Sequence, residues 1–150
     1  MQRSITNQKP LILIMYATLF VVYMGLSSIY LFLPPLLGVL FVLFSRSLQQ
    51  QYVLNIFLVI FCLLVFEAEK GYTLFSSVIF FVLLYRFVIP KLNQNFSCQP
   101  CILFMSVSFA YIGFYLFSLL LANIFLLPLP HMTYYIVYYV VIEYLVVSVL

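Results

Sequence analysis

The chain has 150 residues, of which 67% are hydrophobic and only 6% charged, with a net charge of +3 and a mean hydropathy of +1.26. A soluble domain carries about 25% charged residues, so this composition excludes an ordinary water-soluble fold. Six dispersed cations are too few for a nucleic-acid surface, and no nucleic-acid partner is expected.

Repeated apolar runs of membrane-spanning length leave two options, helices or a closed barrel. A barrel strand alternates polar and apolar positions. The run Val78-Ile79-Phe80-Phe81-Val82-Leu83-Leu84 does not alternate. The expected class is therefore an all-α integral membrane protein, one domain over residues 1–150, folded as a six-span helical bundle with lipid around it.

The first span is expected at 10–32, opened by Pro10, where a missing N–H costs nothing. No small-residue cleavage site follows it, so it reads as a retained span and not a signal peptide. Gly25, Ser27 and Ser28 form a small-residue patch that predicts close helix packing. Pro34-Pro35 breaks the chain. The second span, 33–48, is short against the roughly 20 residues a crossing needs. After Gln49-Gln50-Gln51 the third span covers 52–66, with Asn55 inside it. The stretch from Phe66 to Tyr72 reads as a polar hairpin holding Glu67, Glu69 and Lys70. The fourth span, 72–89, is closed by Pro90-Lys91. A polar loop from Asn93 to Pro100 precedes the fifth span, 101–127, which is long enough to tilt. Pro128 to His131 turns the chain into the sixth span, 132–150.

Six spans put both termini on one side. With cytoplasmic termini, Arg3, Lys9, Arg46, Arg86 and Lys91 lie at cytoplasmic ends and only Lys70 lies outside. That split obeys the positive-inside rule. Glu67, Glu69 and His131 then face outward.

Few residues are candidates for chemistry. Glu143 sits inside the sixth span, and an intramembrane carboxylate is a candidate site by default. Arg86 in the fourth span and Asn55 in the third are expected at a similar depth. Two readings stay open: a polar clasp that fixes helix packing, with Glu143 paired to Arg86, or a proton or ligand site. Glu67 and Glu69 could meet a cation or a basic partner, or be solvated loop charge. Tyr134, Tyr135, Tyr138 and Tyr139 recur at helical spacing, as a stripe for a partner or for internal packing. Cys98-Gln99-Pro100-Cys101 has the spacing of a redox pair and resembles that of quinone-linked disulfide-forming membrane proteins of the DsbB type. Those proteins need a second pair, and the other cysteine here, Cys62, lies in an apolar run. Two thiols do not complete a zinc site. No metal, cofactor or catalytic set is expected, and the chain reads as a non-enzyme.

The third span ends in an acidic residue, Glu67, and a glycine, Gly71, opens the fourth, followed by Tyr72-Thr73-Leu74-Phe75-Ser76-Ser77. A proline, Pro34 or Pro35, opens the second. With the small size and span count, this pattern from Pro34 to Pro90 resembles MreD, the membrane subunit of the bacterial rod-shape (elongasome) machinery. The resemblance implies a non-catalytic scaffold of the bacterial inner membrane in peptidoglycan synthesis and cell shape. Its partners would be an MreC-like protein and, through it, RodA and a penicillin-binding protein. The MreD fold is also similar to substrate-binding subunits of vitamin transporters. A small-molecule-binding transporter subunit is the alternative, and a membrane thiol-disulfide protein a more distant one.

Overall fold

The computed structural model describes residues 8–129 and 134–150, and these form six α-helices and no strand. They are α1 (Gln8–Ile29), α2 (Leu37–Gln50), α3 (Val53–Lys70), α4 (Ser76–Asn95), α5 (Gln99–Phe125) and α6 (Tyr135–Val149). Residues 9–29 of α1, the whole of α4 and the whole of α5 are long and apolar enough to cross a membrane, and α6 is a shorter apolar helix. His131 and Arg3 lie outside the described residues.

Several boundaries differ from the sequence expectation, each for a local reason. α1 stops at Ile29, three residues short of the expected end; a helix continued to Pro34 would set the proline ring against the Tyr30 carbonyl, four residues earlier. The supposed polar hairpin is the last turn of α3, which runs on through Glu67, Ala68, Glu69 and Lys70. The turn itself is Gly71 to Phe75. Gly71 takes a left-handed conformation (φ 71°), and its N–H donates to the Glu67 carbonyl. That is a helix C-terminal cap for which glycine bears no side-chain penalty. α4 does not end at Pro90 but carries it inside and continues to Asn95. The missing proline N–H leaves the Arg86 carbonyl without its helical donor.

The short α2 is the centre of the bundle. Nine of its 14 residues are buried, and it packs against α3, α4, α5 and α6. At about 1.5 Å per residue it is roughly 21 Å long, less than the hydrocarbon thickness. A helix walled in by other helices has no need to span that thickness alone. α5 is the second hub, touching α2, α4 and α6. α4 and α6 lie on opposite sides of the α2–α5 pair and do not meet.

Phe41, Phe44 and Phe81 form the aromatic centre between α2 and α4. Phe66, Phe80 and Phe114 join α3, α4 and α5. α1 leans on α3 alone, through buried Met24 and its neighbours, and its remaining faces are apolar and exposed.

The patch of Gly25, Ser27 and Ser28 is not a close helix contact. A Cβ on Gly25 would meet nothing within 4 Å. Ser28 is exposed, and Ser27 has a different task, described next.

Candidate functional site

The α1–α2 connector enters the protein interior with two prolines and little helical structure, so its carbonyls need donors from elsewhere. Three side-chain hydroxyls supply them. Tyr23 Oη donates to the Pro34 carbonyl at 2.8 Å, and Ser27 Oγ to the Leu33 carbonyl at 3.1 Å. Tyr139 Oη, from the start of α6, donates to the Leu31 carbonyl. The tyrosine stripe is thus divided: Tyr139 ties into the connector and Tyr138 packs on Phe32, while Tyr134 is 99% exposed.

Where the connector becomes α2, Leu36 adopts a left-handed conformation (φ 57°). A left-handed residue followed by a helical turn gathers successive N–H groups into a concave anion-binding nest, with the helix dipole behind it. Glu143 fills this nest. The N–H groups of Gly38 and Val39 donate to its Oε2 at 2.6 and 3.1 Å. Tyr111 Oη, from the middle of α5, donates to Oε1. Both carboxylate oxygens are engaged, and Glu143 is 0% exposed. Gly38 is required by the approach: a Cβ there would lie 2.7 Å from Glu143 Oε2 and 2.7 Å from Val107 Cγ1.

A second buried glutamate repeats the arrangement. Phe75, just ahead of α4, is also left-handed (φ 65°). Glu67 Oε2 accepts from the Phe75 N–H at 2.7 Å. Its Oε1 accepts from the Ser77 N–H at 2.5 Å and Ser76 Oγ at 3.2 Å. Glu67 is 0% exposed as well, so it is neither solvated loop charge nor open to an external cation. Glu69 and Gly71 are exposed beside it.

The expected clasp of Glu143 with Arg86 and Asn55 is not formed. Arg86 is exposed on α4, which does not touch α6. Asn55 is half-buried in the first turn of α3. Similar depth did not bring these residues together, because α2 and α5 stand between the helices that carry Arg86 and Glu143.

Cys98 and Cys101 are joined as a disulfide across the first turn of α5, where Cys98 is the N-terminal cap residue and Pro100 sits in the first turn. They are not the separate thiols of the plainer sequence reading. Both are exposed, and Cys62 is free and buried in α3. Among the described residues no three His, Cys, Asp or Glu side chains gather in a way that could hold a metal ion.

Tyr23, Ser27, Gly38, Tyr111 and Tyr139 were not singled out by sequence reasoning as partners of the buried acid or its connector. The available signal was Pro34-Pro35, since a double proline between two apolar runs announces backbone carbonyls in search of donors. It does not say which hydroxyls arrive.

No family model, no curated protein and no solved structure matches the chain.

Proposed function

We propose that this chain is a multi-pass scaffold subunit of the bacterial cell-elongation machinery, of the MreD kind. It has six spans and places both termini in the cytoplasm. One observation carries the reading: Glu67 and Gly71, two of the residues on which the resemblance rests, build a single structural unit. Gly71 ends α3 by donating to the Glu67 carbonyl, while the Glu67 carboxylate starts α4. An acid and a glycine four residues apart therefore serve one purpose, a tight turn between two apolar helices.

Two further features fit a scaffold. The buried carboxylates hold helices together and have no oxygen free for a substrate. The exposed side of α1 offers Leu11, Met15, Leu19, Val22 and Leu26 to lipid or to a partner helix. In lipid, where the hydrophobic effect between helices is absent, such association depends on side-chain packing.

Depletion of the chain in its own rod-shaped host tests the reading. The expected result is rounding or widening of the cells. A photocrosslinking amino acid placed at Leu19 or Val22 is expected to capture an MreC-like protein. Cells that keep their width after depletion, with no such adduct, would refute the proposal.

A further inference from the structure

Two adjoining clefts open at the end of the bundle where α3 meets α4. The first, about 260 Å³, lies between the α1–α2 connector, α3, α5 and α6. The second, about 320 Å³, lies between the α3–α4 turn and the C-terminal part of α5. Lys70, Tyr72 and Ser118 line both, so the two clefts share a wall.

That shared wall is polar. Ser118 is only 8% exposed, lines both clefts and makes no hydrogen bond among the described residues, so its hydroxyl is open to a ligand. Ser106 and Ser108, about three turns earlier in α5, each donate back to a carbonyl four residues before, and Ser118 does not. Tyr72 lines both clefts and Tyr115 the first, and neither hydroxyl has a hydrogen-bond partner among the described residues. Lys70, exposed at the end of α3, is the one charged residue in the lining of either cleft. Glu69 beside it is exposed and lines neither cleft.

Apolar and aromatic groups complete the walls: Phe66, Phe114 and Leu37 in the first cleft, Leu121, Leu127 and Leu129 in the second. One cation, several hydroxyl donors and a long apolar lining form the complement of an amphiphile with a single anionic head. A site of this composition takes its affinity from the walls and its orientation from the few polar groups.

We propose that the joined clefts bind an amphiphile bearing one carboxylate or phosphate. Lys70 pairs with the anionic group, Ser118 and Tyr72 donate hydrogen bonds to it, and the apolar body lies along α5. The inference goes beyond the scaffold reading and does not depend on which proteins the chain holds. The anion has two sources, a lipid headgroup or a soluble fatty acid, and the test separates them.

The chain is reconstituted in bilayer discs of equal phosphatidylglycerol and phosphatidylcholine, and native mass spectrometry after release reads which lipid stays bound. In a second arm dodecanoate is titrated against the detergent-purified chain, with dodecanol as the uncharged match. Tyrosine emission reports binding, since the chain has 13 tyrosines and no tryptophan. The expected result is preference for the anionic member in at least one arm. Preference in the disc arm alone identifies a headgroup, and saturable dodecanoate binding identifies a soluble acid. Lys70→Gln is expected to weaken that binding by about tenfold or more, the worth of one charge-assisted contact. Lys70→Arg should restore it, Ser118→Leu should block it by filling the wall, and Lys91→Gln, outside the clefts, should change nothing. If Ser118→Leu does not fold, Lys70→Gln decides alone, because Lys70 is an exposed residue at a helix end. Equal binding of anionic and uncharged members in both arms overturns the proposal. So does wild-type affinity in Lys70→Gln.

Discussion

The two buried glutamates do the same chemistry at very different distances along the chain. Each sits in a nest that opens with a left-handed residue, accepts two backbone N–H groups from a helix start, and takes a third hydrogen bond from a hydroxyl. Glu67 reaches a helix 8 to 10 residues ahead of it. Glu143 reaches one 104 to 105 residues behind it. The first therefore closes a hairpin that two neighbouring helices would form in any case. The second joins the last helix to the central one and positions a broken connector that has few hydrogen bonds of its own. Similar local chemistry thus serves local order in one place and global order in the other.

That contrast is open to direct attack. The largest effect is expected from Glu143→Ala, which strands the Gly38 and Val39 N–H groups and the Tyr111 hydroxyl in an apolar interior. Each lost partner costs about 1–3 kcal/mol, so a loss of roughly 4 kcal/mol is expected, enough to remove most folded protein from a marginally stable chain. Size-exclusion profiles and thermal midpoints in detergent measure it. A monodisperse variant with an unchanged midpoint would show that the long-range tie is dispensable.

Gly38→Ala attacks the same tie from the helix side. The new methyl group meets the carboxylate and Val107 at 2.7 Å each, so one of them must move. Overpacking of this kind costs about 1–3 kcal/mol. Restoration of the midpoint when Val107→Ala is added would assign the cost to the α5 contact instead of the carboxylate.

Glu67→Ala is expected to be milder, about 1–2 kcal/mol, the usual worth of a helix N-terminal cap. Phe75 beside it is exposed, so water can replace part of what is lost. Hydrogen exchange should quicken from Phe75 to Val78 and remain unchanged at Gly38 and Val39. Equal acceleration at both helix starts would mean that the two caps are one cooperative unit, and the distinction between local and global order would fall.

Much of this was legible before any coordinates. The all-helical class follows from unbroken apolar runs. The break before α2 follows from Pro34-Pro35, and a turn between α3 and α4 from the polar stretch Phe66 to Tyr72. Glu143 stands out because a carboxylate in an apolar run needs an explanation. Partners were not legible. Depth alone suggests a pair of Glu143 with Arg86, and the charged neighbours of Glu67 suggest solvent or an external cation. In α5 and α6 every face is apolar, so periodicity cannot show which side of either helix turns inward.

The sequence by itself determined the elements, because helix formation in an apolar chain depends on local hydrogen bonding and on the residues that interrupt it. Only the tertiary structure decided which helices are neighbours. α2 and α5 occupy the middle and keep α4 from α6, so Arg86 and Glu143 remain apart whatever their depth. The connector's carbonyls then draw hydroxyls from α1 and α6, and the α2 nest draws the one carboxylate within reach. The physical reason is that a buried polar group accepts whichever partner the packing brings to it, and packing is a property of the whole set of helices.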